Sequence, residues 1–464
     1  MKKIIQLIRE SLTETAYDYT SGSLRKAIVM LAIPMMLEMC LESVFAVVDI
    51  YFVNRLSNDA VTVVGLTEAV ITIVYSLAIG LSAAATAIVA RRIGEKDPEG
   101  AARATKQSLL VAMIVIALIS VTGFVFASDI LRIMGASEYA IAKGVIYTQI
   151  MMSCSGVIVL LFLINGIFRG AGNAAIAMKS LWLGNAINIL LCPILILGFG
   201  SWGGLGIAGA AIATCTGRGI GVLYQLKHLI GTENELLPLH RVAWRPDRMI
   251  IRSLMQISVP ATVQFIVQSA SWIILTRMVA SFGTDASAGY QTAFRLLLFF
   301  LLPAWGISNA AATLVGQNLG AKRPERAAES VKAIARYNAI LMGIMMLISV
   351  IFTEELIGLF ITDPNNGSFA YAVDALRIVS CGNILFAVSM VLMQAFNGAG
   401  DTRTPTLISL FGFWFFQIPL AYLLSQTFNW GTHGIYWAIP IAEGLIVLLY
   451  AYFFAKGDWQ RKEV

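Results

Sequence analysis

The sequence predicts an all-α polytopic membrane protein, with twelve transmembrane helices in two six-helix repeats related by a pseudo-two-fold axis along the membrane normal. Three observations carry this expectation. Of 464 residues, 58% are hydrophobic and only 13% are charged, whereas roughly a quarter of the residues in a soluble domain are charged. Apolar runs such as 108–127, 157–168 and 341–352 recur along the whole length, many within segments near the ~20 residues needed to span a bilayer. The second half of the chain also repeats the first.

Residues 1–26 form the first element. MKKIIQLIRESLTETAYDY is basic but has no unbroken apolar core of the roughly 7–15 residues that a cleaved signal requires, so it is expected to stay attached. Ile4, Ile5, Leu7, Ile8 and Leu12 would share one side of a short helix, which suits a cytoplasmic helix lying on the membrane surface. The N-terminal lobe, 27–230, then holds spans near 27–54, 60–90, 103–127, 139–168, 174–198 and 204–228. A cytoplasmic linker, 231–256, leads to the C-terminal lobe, 257–456, with spans near 257–282, 287–316, 327–352, 372–397, 405–425 and 432–456. Residues 457–464 remain as a cytoplasmic tail.

Loop charge sets the expected orientation. One side carries Arg91, Arg92, Lys96, Arg103 and Lys106, then Lys227, Arg241, Arg245, Arg248 and Arg252, then Lys322, Arg323, Arg326, Lys332 and Arg336. The other carries mainly Arg55, Arg132, Lys143 and Arg377. The asymmetry places both termini in the cytoplasm of a multi-pass protein of the inner, or plasma, membrane. It also accounts for the net charge of +6 without nucleic acid as a partner.

The repeat is explicit. At an offset of 226, Pro34 matches Pro260, Gly80 matches Gly306, Gly94 matches Gly320 and Pro98 matches Pro324. At an offset of 228, Phe168-Arg169-Gly170-Ala171-Gly172 matches Phe396-Asn397-Gly398-Ala399-Gly400, Trp202 matches Trp430, and Gly206-Ile207 matches Gly434-Ile435. An even number of helices per repeat gives both copies the same orientation. Two such halves rocking about a central cavity make the architecture of a transporter rather than of an enzyme.

Charges inside spans are costly and mark function. Glu38, Glu42 and Asp49 on the first span fall within about 40° of one another at ~100° per residue, and Pro34 removes the backbone bond to Met30, bending or loosening that helix just before the acids. Depths estimated at ~1.5 Å per residue put Asp49, Glu68, Asn188, Cys192 and Thr214 at one outer level. Unrelated interhelical hydrogen bonds are the alternative reading for Asn188 and Thr214. A buried acid at that depth must be protonated or paired with a cation, so its state follows the supply of protons or sodium. In the second half Gln268 is the most polar residue near the middle of its span. Arg277 and Arg295 lie at the outer level, where they could pair with the acids as a gate, snorkel to the interface or attract an anionic substrate. Phe294, Phe299, Phe300, Trp305, Phe386, Phe413, Trp414, Phe415 and Phe416 enrich this half in aromatic rings, most of them for packing, some to line an apolar pocket.

Other chemistries find little support. Cys40, Cys154, Cys192, Cys215 and Cys381 stand singly in apolar segments, and His228, His240 and His433 are too scattered to suggest a metal site. No GxxxxGK[ST] loop points to ATP. Neither an Asp-rich pair nor a nucleophile with its base suggests an enzyme, and no cofactor is expected beyond a coupling ion, H+ or Na+.

In this order and with this repeat, several segments resemble the multidrug and toxic compound extrusion (MATE) family over nearly the whole chain. They are Pro34 through Val47-Val48-Asp49, Val89-Ala90-Arg91-Arg92-Ile93-Gly94, the Phe-x-Gly-Ala-Gly motifs at 168 and 396, Asn188-Ile189-Leu190-Leu191-Cys192-Pro193, Gly209-Ala210-Ala211-Ile212-Ala213-Thr214 and Val315-Gly316-Gln317-Asn318-Leu319-Gly320. The resemblance implies a twelve-helix efflux antiporter that expels cationic or amphipathic organic compounds in exchange for protons or sodium ions. Asp49 looks like the family's coupling acid, Asn188 and Thr214 like its polar partners, and Pro34 like its bending proline. Cys192 stands where many members have a carboxylate or amide, and a neutral thiol is a poor ligand for a hard cation, so proton coupling is favoured over sodium. Gln268 stands where some members have an acid, which argues against a coupling site in the C-terminal half. Glu68, Arg277 and Arg295 rest on the charge argument alone, and Glu38 and Glu42 are candidate substrate or gate residues on the same span as Asp49. The expected partners are small organic substrates and membrane lipids, with the chain working as a monomer. The alternative is a flippase or exporter of a lipid-linked or anionic amphiphile, served by the two arginines.

Overall fold

Apolar runs bounded by proline, glycine and charged loops become long helices, because a backbone in lipid must satisfy its hydrogen bonds within the segment. The computed structural model describes residues 2–13, 17–53, 58–198, 203–231 and 235–463; the side chains of 2–4, 45–53, 58–61 and 143 lie outside the description. A short α1 (Lys2–Ser11) precedes α2 (Leu24–Val53), α3 (Asn58–Gly94), α4 (Pro98–Val125), the stub α5 (Ala127–Ile133), α6 (Glu138–Ser153) running into α7 (Ser155–Gly170), α8 (Ala174–Leu197) and α9 (Ile207–Ile230). The second set is α10 (Arg248–Ala280), α11 (Thr284–Gly320), α12 (Pro324–Ile351), the stub α13 (Thr353–Gly358), α14 (Gly367–Ser380) with α15 (Asn383–Gly398), α16 (Arg403–Ser409), α17 (Ile418–Tyr422) and α18 (Thr432–Lys456). Two π-helical stretches, Leu410–Gln417 and Leu423–Thr427, join α16 and α17 into one span.

Among the described residues, eleven spans are long and apolar enough to cross a bilayer, and α14 with α15, bent by 52°, completes twelve. The expected fold class therefore holds. The short loops repeat as well. Lys96 and Lys322, one repeat apart, both turn the chain through left-handed backbone, at φ 60° and 58°, ahead of Pro98 and Pro324 at the starts of α4 and α12. Asp97 then caps α4 by accepting from the Gly100 amide at 2.8 Å.

The packing refines the division into lobes. One core cluster draws on α3, α4 and α6 to α9, but also takes in Leu254 and Ile257 from the start of α10. A second gathers α11, α12, α15 and α18 around Ala27, Ile28, Leu31 and Met35 from the start of α2. Each repeat thus sends the first half of its first helix into the other lobe's core. Pro34 and Pro260, both inside continuous helices, stand near that crossing.

Reciprocal glycines let the lobes approach at the end where the termini lie. A Cβ on Gly80 would strike the Ser258 carbonyl and Thr262, and one on Gly306 would strike Met35 and Met36. Gly94 lies against Gln317 and Gly320 against Arg91, the same pair of positions exchanged between repeats. Thr313 donates to the Arg169 carbonyl at 3.0 Å and Gln317 to the Gly170 carbonyl at 2.9 Å. The N-terminal segment also lies across this end: Tyr19 donates to the Gly172 carbonyl at 2.9 Å, while Arg323 and Arg326 donate to the carbonyls of Thr20, Ser21 and Gly22. In α1, Leu7 packs onto the second cluster, whereas Ile5 and Ile8 stay exposed.

Candidate functional site

The polar interior of the first lobe is built on α2. Glu38, buried at 1% exposure, accepts from the Asn165 amide at 3.0 Å and lies 3.9 Å from the Arg169 guanidinium, both on α7. One helical turn on, Glu42 pairs with Arg218 of α9 at 2.9 Å and accepts from Asn185 of α8 at 3.5 Å. The spacing of four residues puts both acids on the same face. Gln225 extends the network, donating to Asn165 and to Ser180, the latter at 2.9 Å. Arg218 also lies over the Tyr75 ring, 5.6 Å from its centroid. Buried charges persist only when paired and hydrogen-bonded; Arg218 meets that condition through Glu42, whereas Glu38, though near Arg169, keeps one buried oxygen without a hydrogen-bond partner among the described residues.

The outer-level residues fall out as follows. Asn188 of α8 donates to the Thr214 hydroxyl of α9 at 3.2 Å, and Cys192, one turn beyond Asn188, is fully buried. Asp49 lies on α2, but its side chain is outside the described residues, as is Trp202 of the repeat. Glu68 is exposed on α3, which packs against α4, α6, α7, α10 and α11. Arg277 and Arg295 are exposed, and neither makes an ion pair among the described residues. Gln268 donates to the Ser409 hydroxyl at 3.3 Å and lines a cavity in the second lobe.

Between the lobes lies a cavity of about 270 Å³. Glu42, Tyr75 and Arg169 form its first-lobe wall; Gln264, Asn309, Gln394 and Asn397 face them. Gln394 donates to Asn309 and accepts from Asn397, so the second-lobe wall is neutral and amide-rich where the first is ionic. Such a space can hold an amphipathic molecule between an adaptable polar wall and the aromatic rings of Phe162, Phe265 and Trp305.

Several of these groups escape sequence reasoning. Arg169 and Asn165 sit in and before the Phe-x-Gly-Ala-Gly segment, and Arg218 lies near the middle of its span; that central position is itself the signal, since a charge there is costly. The same signal applies to Glu443, near the middle of the last span. It is a buried acid, at 2% exposure, in the half where Gln268 argues against a coupling site.

The MatE family model matches residues 34–194 and 260–423. The chain is 25% identical over 446 residues to the probable multidrug resistance protein YoeA of Bacillus subtilis (strain 168), covering 95% of this chain and 96% of that protein. It is similarly 25% identical to the probable multidrug resistance protein NorM of Thermotoga maritima, over 95% of this chain and 94% of that one. The multidrug export protein MepA of Staphylococcus aureus (strain N315) is 22% identical, with 94% of each chain covered. Among solved structures, an outward-facing conformation of a multidrug resistance MATE family transporter of the MOP superfamily superposes with a TM-score of 0.90 at 24% identity, covering 97% of this chain and 100% of that chain. A MOP superfamily transporter from Pyrococcus furiosus, whose reverse binding-pocket polarity suggests a different function, superposes at 0.87 and 24% identity over 99% of both chains.

Proposed function

The chain belongs to the MatE family, and from that premise we propose that it is a proton-coupled multidrug efflux antiporter of the plasma membrane, working as a monomer by alternating access. The observation that carries this reading is the asymmetry of the interlobe contact: reciprocal glycines hold the lobes together at the end where the termini lie, above which a cavity with one ionic and one amide wall separates them. Loop charge supports placing that end in the cytoplasm, and in that orientation the arrangement reads as outward-facing. Similarity to proteins named for multidrug resistance and export supports organic substrates.

In this reading Asp49 is the coupling acid. Its proposed polar partners are Asn188 and Thr214, joined to each other on helices that pack against α2, and the buried Cys192. An amide, a hydroxyl and a thiol offer few hard oxygen ligands, and tight sodium binding needs several; this supports the proton as coupling ion. Protonation of Asp49 from outside would release the substrate, and deprotonation inside would reset the site. Pro34 gives α2 the freedom to change shape between these states.

The test is transport of a cationic dye in proteoliposomes with proton and sodium gradients imposed separately. The proposal expects export driven by the proton gradient alone. Strong stimulation by a sodium gradient at equal pH on both sides would overturn the choice of ion, and its loss in Glu68→Gln would identify the missing ligand. A dependence on anionic lipid rather than on cationic dye, abolished by replacing Arg277 and Arg295, would favour the flippase reading.

A further inference from the structure

The two Phe-x-Gly-Ala-Gly motifs end in turns that each receive one end of the chain. Gly172 closes the first motif at φ 89°, and a Cβ there would lie 2.6 Å from the Tyr19 ring. Tyr19, only 2% exposed, fills that space and donates its hydroxyl to the Gly172 carbonyl at 2.9 Å. Gly400 closes the second motif at φ 83°, and the buried Asp401 that follows it lies 3.5 Å from the Lys462 ammonium.

Both ends are anchored on the second lobe and reach across to the first. In the N-terminal segment, Asp18 accepts from the Thr20 and Ser21 hydroxyls, each at 2.6 Å. The resulting turn presents its carbonyls to the start of α12: Arg323 donates to Thr20 at 2.6 Å, and Arg326 to Ser21 at 2.8 Å and Gly22 at 3.1 Å. From that anchor Tyr19 crosses to Gly172, between α7 and α8 of the first lobe. In the tail, Trp459 is buried, stacks on Phe454 of α18 with centroids 4.8 Å apart and donates to the Phe454 carbonyl at 3.0 Å. From there the Lys462 carbonyl accepts from Arg91 of α3, in the first lobe. Parting the lobes at this end breaks both crossings, whereas the anchors travel with the second lobe. A bond made only in the closed arrangement shifts the equilibrium towards it.

We infer that residues 17–22 and 458–463 are two straps that hold this end of the molecule shut and set how seldom it opens. Each strap must let go of the first lobe before the lobes can separate here. That this opening is a step of export rests on the efflux reading, but the hold of the straps is measurable without substrate or gradient.

The experiment is thiol labelling of the purified protein carrying Thr313→Cys, with the label at that position read by peptide mass spectrometry. Thr313 is fully buried and donates to the Arg169 carbonyl across the lobes, so a thiol there reacts with a water-soluble maleimide only when the lobes part. Because this reporter meets Arg169 rather than a strap, fraying of a terminus by itself leaves it covered. Deleting residues 458–464 together with Tyr19→Phe should raise the labelling rate about tenfold, the order expected for two lost hydrogen bonds. Tyr19→Phe alone, which keeps the ring in place and removes the donor, should raise it at least about twofold. Unchanged rates in these variants would overturn the inference. Should the shortened chain fail to fold, an unchanged rate in Tyr19→Phe alone would overturn it equally. Raised rates in a protein that exports no dye under either ion gradient would uphold the straps and count against the efflux reading alone.

Discussion

Glu42 and Arg218 stand 2.9 Å apart at the edge of the interlobe cavity, with the arginine side chain only 4% exposed. Truncating one member of a buried pair leaves the other charged and unpaired, at a cost of about 3–5 kcal/mol. Arg218→Ala should therefore lower thermal stability markedly, whereas Arg218→Met with Glu42→Gln should recover much of it. Equal loss in the single and double variants, measured by thermal unfolding in detergent, would contradict this. Asp18, outside the spans, behaves differently. Its carboxylate accepts from the Ser21 hydroxyl at 2.6 Å and from the amide and hydroxyl of Thr20. The Ser21 bond, then those of Thr20, hold its pKa at about 2 against an ordinary 3.8. A depressed carboxyl stabilises the fold fully above its ordinary pKa and loses that contribution as pH falls through the lower value. Asp18→Asn should thus speed proteolysis of the N-terminal segment at neutral pH, while the native protein keeps its resistance until pH falls below about 4 and loses it towards pH 2. Equal cleavage rates at pH 7 would contradict this assignment.

At the scale of elements, the decisive feature is that α2 and α10 each begin in the other lobe's core, while further along α2 packs on α8 of its own lobe and α10 ends in its own lobe's core at Leu275 and Val279. Pro34 lacks the amide that would bond Met30, so α2 is weakest near the point where it changes neighbours. Pro34→Ala should restore that bond, stiffen the helix and slow export, with substrate binding less affected; export at the native rate would count against a hinge there. The glycine pairs make a complementary prediction. Valine at Gly94 or Gly320 has no room against the Gln317 and Arg91 backbones, so either substitution should hold the end where the termini lie open, seen as a longer distance between spin labels across it. An unchanged distance would remove these glycines from the closure. The helices, the repeat and Pro34 were legible in sequence because each is a local pattern of hydropathy or spacing. The partners of Glu38 and Glu42 were not, because Asn165, Arg169 and Arg218 lie 127 to 176 positions away along the chain. Hydropathy identifies a span without saying which of its faces meets which neighbour. Asn188 and Thr214, grouped by depth, do meet. Glu443 was missed although a central charge in the last span was visible.

Across the whole molecule, both chain ends bind the closed end. The N-terminal segment ties the Gly172 loop to α12 through Tyr19, Arg323 and Arg326. The tail is anchored by buried Trp459 stacked on Phe454; there Lys462 lies 3.5 Å from Asp401 of the second lobe, and its carbonyl accepts from Arg91 of the first. The twofold plan was readable from the offsets of 226 and 228, but this bridging by the termini was not, since neither segment carries a repeat or a periodicity that names its partner. The central claim, that Asp49 on α2 couples export to a proton gradient, is tested most directly by comparing the native protein with Asp49→Asn in proteoliposomes under an imposed proton gradient. The account predicts gradient-driven dye export by the native protein and none by the variant, which still folds and binds dye; near-normal, gradient-dependent export by Asp49→Asn would contradict it.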